Sequence, residues 1–316
     1  MLMRTVSTLI ALVAFHAPSV YGAGEGIHEA NDAFGIFLIS MSRVTDAVLS
    51  PDSPSGMFSS MLFFVIAVYY LGKEVLLWAN GVVQLDALLT AVLMVTMVAA
   101  VLESYDYLTS LAFETFDDIA ASIQLQMLGT EDSFAAIGYI EAYLDHVSIM
   151  DAHWLDGIKK IFAVMIATAL IVVLGALAFL ADAWAVWGYV LAKLLGWLFI
   201  PFIMIKPLSG LFDRWLSFFV GFLFYGLVVR INLAMIATMF SMHAGVSLDQ
   251  AEFGPVPITW DGIFSNLVGA LALLLIAILA LISSGKFANQ LASSVVATGG
   301  AAQAIRGVAV AGGKMI

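Results

Sequence analysis

Cysteine is absent from all 316 residues. That excludes a disulfide framework, thiol catalysis and a Cys-based zinc site. It also leaves loops that face an oxidising compartment free of stray thiols. Charge is scarce too: 11% of the chain is Asp, Glu, Lys or Arg, against about 25% in ordinary soluble domains. Basic residues are the scarcer sign, 12 Lys and Arg against 23 Asp and Glu. A direct grip on duplex DNA, which neutralises phosphates with cations, does not fit such a surface. The acids are also unevenly placed, with eleven Asp and Glu against two Lys between Glu103 and Lys160.

Apolar sequence takes the place of charge. It makes up 62% of the chain, with a mean hydropathy of +1.03. Six runs stand out, about Met57 to Ala79, Leu85 to Leu102, Ile161 to Leu180, Ala183 to Ile205, Trp215 to Phe240 and Ile263 to Ser283. Each is near the ~20 residues with which a helix crosses about 30 Å of hydrocarbon. In lipid the backbone must satisfy its own hydrogen bonds, so the runs read as helices. The expected fold is an all-α, polytopic transmembrane bundle of about five to six spans. An extracytoplasmic N-terminal helix and a central helical loop domain accompany it.

Residues 1–22 read as a signal peptide: Arg4 supplies the positive start, Thr5 to Phe15 the short apolar stretch, and Gly22 a small residue for cleavage. The segment 23–56 then lands outside the cytoplasm. Within it, Ile27 to Leu49 has Phe34, Phe37, Leu38, Met41, Val44 and Val48 at helical spacing, the stripe of a helix lying on a membrane or a bundle. Residues 57–102 form a transmembrane hairpin linked around Asn80-Gly81. Residues 103–160 form the acidic central loop domain, with helices over Tyr105 to Leu128 and Phe134 to Val147 joined at Gly129-Thr130. Residues 161–283 are the transmembrane core, rich in Trp. Pro201 and Pro207 bracket a segment in which the helix must kink or stop. Residues 284–316 are an Ala/Gly/Ser-rich tail with Lys286, Arg306, Lys314 and no acid.

Counting positive charges puts the tail inside, the acidic Ser241 to Gly262 link outside, and Lys206 and Arg214 inside. The segment after the signal is outside. These assignments do not close by parity if all six runs cross. Either two adjacent ends disagree with the charge bias, or one run is re-entrant or interfacial; for the latter the pair joined at Asp182 is the suspect.

Arg230 lies inside the fifth run. A central Arg costs at least about 2.5–3.5 kcal/mol on insertion scales, so it is expected to face the bundle interior, a subunit interface or a watery cavity. Asn232 extends the polar strip. The plainer alternative is that Arg230 snorkels from a tilted helix. Asp182 and Lys193, closer to span ends, are weaker cases. His146 and His153 match no zinc pattern, and Gly307 to Lys314 lacks the Ser or Thr of a phosphate loop. No nucleophile–base constellation emerges, and no cofactor, metal or enzymatic activity is expected.

The run Leu195-Gly196-Trp197-Leu198-Phe199-Ile200-Pro201-Phe202, the following Leu211-Phe212-Asp213-Arg214-Trp215-Leu216 and the tail from Phe287 to Ala302 are similar to those of a known family. With the signal-like start, spanning hairpin and polar centre, the chain resembles the TrbL-type polytopic inner-membrane subunits of type IV secretion and conjugation systems. The resemblance implies a bacterial inner-membrane, multi-pass, homo-oligomeric channel or assembly subunit, with its N-terminal segment in the periplasm. It would help to move DNA or protein and support pilus or stalk assembly. Implied partners are a minor pilin, scaffold proteins, ATPases, membrane lipid and the translocating substrate. Arg230, Asn232, Trp197, Pro201, Pro207, Arg214 and Trp215 are then structural or interface candidates. Three other classes compete. A small-solute secondary transporter would show internal repeats and paired broken helices, and only one Pro-interrupted region is present. A membrane enzyme would need clustered His, Asp or Glu in its spans. An assembly factor without a pore is not separable by sequence.

Overall fold

The computed structural model describes residues 36–37, 39–41, 43–50, 52–131, 147–148, 154–244, 256–257, 263–297 and 307. Long helices dominate them: α1 (Pro54–Ala79), α2 (Leu85–Glu103), α3 (Tyr105–Leu128), α4 (Trp154–Phe199), α5 (Ser209–Ala244) and α6 (Ile263–Ala297). A 3-10 segment, Ile200–Met204, lies between α4 and α5. Two short strands, β1 (Val147–Ser148) and β2 (Val256–Pro257), pair in parallel. The all-α, polytopic reading holds. The signal peptide, the expected helix from Phe134 up to His146, His153, and the tail beyond Ala297 apart from Gly307 fall outside the described residues; Val147, expected to end that helix, lies in β1.

Local chemistry explains the helix ends. Pro54 sits in the first turn of α1, where its missing N–H costs nothing, and the Ser53 hydroxyl accepts from the Gly56 N–H at 2.9 Å. At the far end the Gly81 and Val82 N–H groups bond to the Trp78 and Leu77 carbonyls. With Gly81 at φ +71°, this is a Schellman stop, and it sets the hairpin turn to α2. Gly129, at φ +73°, ends α3 through its bond to the Leu125 carbonyl.

Among the described residues, five stretches are long and apolar enough to cross a membrane: Pro54–Ala79, Leu85–Glu103, Val172–Met204, Ser209–Met242 and Leu271–Ser293. The six-run reading changes at Asp182. The runs Ile161 to Leu180 and Ala183 to Ile205 are not two helices; they belong to the 46-residue α4, about 69 Å long at 1.5 Å per residue. Asp182 is flanked by Ala181 and Ala183, with no proline or glycine to break the backbone. A single carboxylate does not by itself stop a helix, since Asp is a far weaker breaker than Pro. The expected stop at Pro201 is real, since α4 ends at Phe199 and tightens into the 3-10 segment. In the N-terminal segment, Met41, Thr45, Val48 and Leu49 turn inward while Val44, expected on the packed stripe, is 49% exposed.

The described chain divides into two compact units. One comprises Met1–Phe37, Asp117–Trp184 and Gly226–Gly285; the other comprises Leu38–Phe116, Ala185–Tyr225 and Lys286–Ile316. In the second unit the α1–α2 hairpin, the first turns of α3, the C-terminal part of α4, the 3-10 segment and the start of α5 share one core. It includes Ile66, Ala67, Met94, Val98, Tyr105, Tyr189, Ile203, Trp215 and Phe219. Its aromatic rings stack on one another: Trp215 on Phe219 with centroids 5.7 Å apart, and Phe113 on Tyr189 at 4.1 Å. Small residues on α4 let α5 come close. A Cβ added at Gly196 would overlap the Trp215 indole and the Tyr105 hydroxyl, and one at Gly188 would overlap the Phe222 ring.

Gly196→Val should therefore overpack this core, at a cost of about 1–3 kcal/mol or more. Gly72→Ala, which meets nothing, should be neutral or slightly stabilising. Thermal melts of the two variants in the same detergent check the contrast; equal melting temperatures would refute the close approach.

Candidate functional site

Apolar packing leaves two buried cations to account for, and α3 supplies partners for both. Asp106, Ser110, Asp117 and Gln124 follow one another at steps of four, seven and seven. That spacing keeps them on one face of a helix.

In the unit containing the hairpin, Lys193 of α4 is 7% exposed. Its ammonium lies 2.6 Å from an Asp106 carboxylate oxygen and donates to the Ser110 hydroxyl at 2.9 Å. The same stretch of α4 also offers carbonyls to the aromatic core. The Tyr105 hydroxyl donates to the Lys193 carbonyl at 2.6 Å, and the Trp215 indole N–H to the Ala192 carbonyl at 2.8 Å. Burial pushes the Tyr105 hydroxyl well above the usual phenol range, so it stays protonated and a donor. The Trp197 carbonyl accepts from the Ser59 hydroxyl of α1 at 3.0 Å. The Trp197 indole nitrogen has no hydrogen-bond partner among the described residues.

In the other unit, Arg230 of α5 is also 7% exposed, and all three nitrogens of its guanidinium donate. Nε reaches the Gln124 side-chain oxygen at 2.7 Å. One terminal nitrogen reaches Asp117 at 2.5 Å, and the other reaches the Glu131 backbone carbonyl at 2.5 Å. Asp182 of α4 is within Coulombic reach of both Arg230 and Asp117. The guanidinium itself therefore bonds one carboxylate, one amide and one backbone carbonyl. Two residues along α5, the Asn232 amide donates to the Ser284 hydroxyl of α6 at 2.9 Å, and Ser284 is fully buried.

The remaining candidates take different places. Trp215 and Pro201 are buried, Trp197 is half-buried, and Pro207 and Arg214 are exposed. Sequence reading ranked Lys193 as minor and assigned no role to Gln124, Asp106 or Asp117. The stepwise polar spacing on α3 was the available signal. Among the described residues no group of three His, Asp or Glu is placed to hold a metal ion. What this arrangement does chemically is hold charge and fix helices.

The Arg230 pair is asymmetric, because Arg230 is buried while the Asp117 side chain is 52% exposed. Asp117→Leu would strand the cation and should cost about 1–3 kcal/mol, below the full penalty for a buried pair because water already screens the carboxylate. Adding Arg230→Met to Asp117→Leu should recover part of the loss. Detergent-phase melting of both variants checks this, and a double variant no more stable than Asp117→Leu would show that the pair is uncoupled.

No curated protein matches the chain at a significant level. A family model described as TrbL/VirB6 plasmid conjugal transfer protein matches residues 64–285, from within α1 to Gly285 of α6. That match spans more than two thirds of the chain, which therefore belongs to the TrbL/VirB6 family and is a component of a conjugal transfer or type IV secretion system.

Proposed function

We propose that this protein is an inner-membrane channel or assembly subunit of its secretion system. In this role it helps DNA or protein substrates across the envelope and supports pilus or stalk assembly. The observation that carries the reading is the family match over a chain with five stretches long and apolar enough to span a membrane. The buried Lys193 and Arg230 clusters serve as fixed internal anchors of that bundle, consistent with a part that transmits or withstands force.

Charge placement supports an orientation. With α4 a single helix, the parity conflict disappears. The α1–α2 pair and the α4–α5 pair each return the chain to the side from which it came, so α6 alone separates the segment before α1 from the tail. The tail, with Lys286, Arg306 and Lys314 and no acid, then lies in the cytoplasm, and the segment before α1 lies in the periplasm. The acidic residues 104–153 and 245–262 share the periplasmic side. Those segments are the surfaces offered to a minor pilin and to scaffold subunits, while the ATPases meet the cytoplasmic side. Self-association of the bundle into a homo-oligomer completes the reading.

Affinity purification of the tagged chain from native membranes in mild detergent tests this. Secretion ATPases, a minor pilin and scaffold subunits should accompany it in a homo-oligomer, and Arg230→Leu should insert normally yet weaken assembly or transfer. A lone monomer in repeated mild extractions, or wild-type transfer by Arg230→Leu, would count against the reading.

A further inference from the structure

The break between α4 and α5 sits at an unexpected depth. Non-helical backbone is tolerated within a bilayer only where protein packs over it or water reaches it. Here the 3-10 segment places Ile200, Pro201, Ile203 and Met204 in the interior. They share a core with Ile66 and Ala67 of α1 and with Met94 and Val98 of α2, and the Ser59 hydroxyl bonds to the Trp197 carbonyl just before them. These α1 partners run from Ser59, near the open end of the hairpin, to Ile66 and Ala67 at the middle of α1. Past Tyr70 the α1 side chains Val75, Leu76 and Trp78 are exposed, and on α2 burial begins only at Ala91. Tyr70 is the last α1 residue packed against this core, and from there to Ala79 α1 continues about 14 Å toward the closed end of the hairpin. α2 has 19 residues and is about 28 Å long, close to one hydrocarbon thickness. A hairpin that crosses the membrane therefore leaves the tip inside it.

One side of the tip is sealed by the hairpin; the other is not. Lys206, Pro207 and Leu208 are exposed, as is Arg214 in the first turns of α5. Lipid would not accommodate two exposed cations and a turn at that depth. We propose that the α4–α5 tip is a half-membrane loop whose open side, carrying Lys206, Pro207 and Arg214, lines a water-filled vestibule. The vestibule opens toward the cytoplasm, the side that basic residues favour. The proposal rests on the reading that the α1–α2 hairpin crosses the membrane.

The cysteine-free chain makes the test direct. Lys206→Cys, Leu208→Cys and, in the hairpin turn, Val82→Cys are each made in the full chain and probed in inverted inner-membrane vesicles. Two reagents are used: a small charged methanethiosulfonate and a polyethylene-glycol maleimide of several kilodaltons. Val82→Cys should react with both. Lys206→Cys and Leu208→Cys should react with the small reagent and at least about tenfold more slowly than Val82→Cys with the bulky one. Equal rates with the bulky reagent would put the tip in bulk cytoplasm, and silence toward both reagents would mean that protein or lipid seals it; either result overturns the vestibule. Failure of Val82→Cys to react would instead overturn the crossing of the hairpin on which the proposal stands.

Discussion

A backbone that enters hydrocarbon must pair its own N–H and C=O groups, and the form of this chain follows from that requirement. Continuous helices satisfy it at every residue except their ends, so the ends are few and individually built. Gly81 and Gly129 close two of them through left-handed turns that return backbone bonds to α1 and α3. Where Pro201 ends α4, the chain tightens into a 3-10 turn and buries it against the hairpin. The 46-residue length of α4 is the same rule in its plainest form: no proline interrupts it, so the backbone goes on pairing with itself.

Once the backbone is satisfied, side-chain charge is the next difficulty. The chain meets it by concentrating acids and amides on α3. The surplus of negative charge between Glu103 and Glu131 is partly counter-charge: Asp106 answers Lys193 and Asp117 answers Arg230. In both pairs the cation is buried and the carboxylate keeps one side in water, which limits the desolvation cost. Attached in this way, α3 is bound to α4 within one unit and to α5 within the other.

Features governed by neighbours in sequence were legible in sequence. The hairpin turn at Asn80-Gly81, the bounds of Tyr105–Leu128 and the stop at Pro201 depend on glycine, proline and local periodicity, and the structure places them as read. Features governed by distant residues were not. Asp182 looked like a junction because a lone carboxylate divides two apolar runs, yet with no proline there the helix continues through it. Val44 fitted the apolar stripe, but the neighbours of that segment select Thr45 instead. The interior character of Arg230 followed from its cost in an apolar run. Its partners, 99 to 113 residues distant, leave no trace in periodicity beyond the polar steps along α3.

The close contact between α4 and α5 has a mechanical consequence. Gly188, Ala192 and Gly196 recur every four residues, and the rings of Phe222 and Trp215 occupy the space left by the two glycines. Sliding either helix by one residue, about 1.5 Å, would move the indole off the gap at Gly196 and strain its 2.8 Å bond to the Ala192 carbonyl. The two helices are keyed like a shaft and its collar. A displacement imposed on α5 near Phe222 would thereby reach the turn at Pro207 as a tilt, without telescoping.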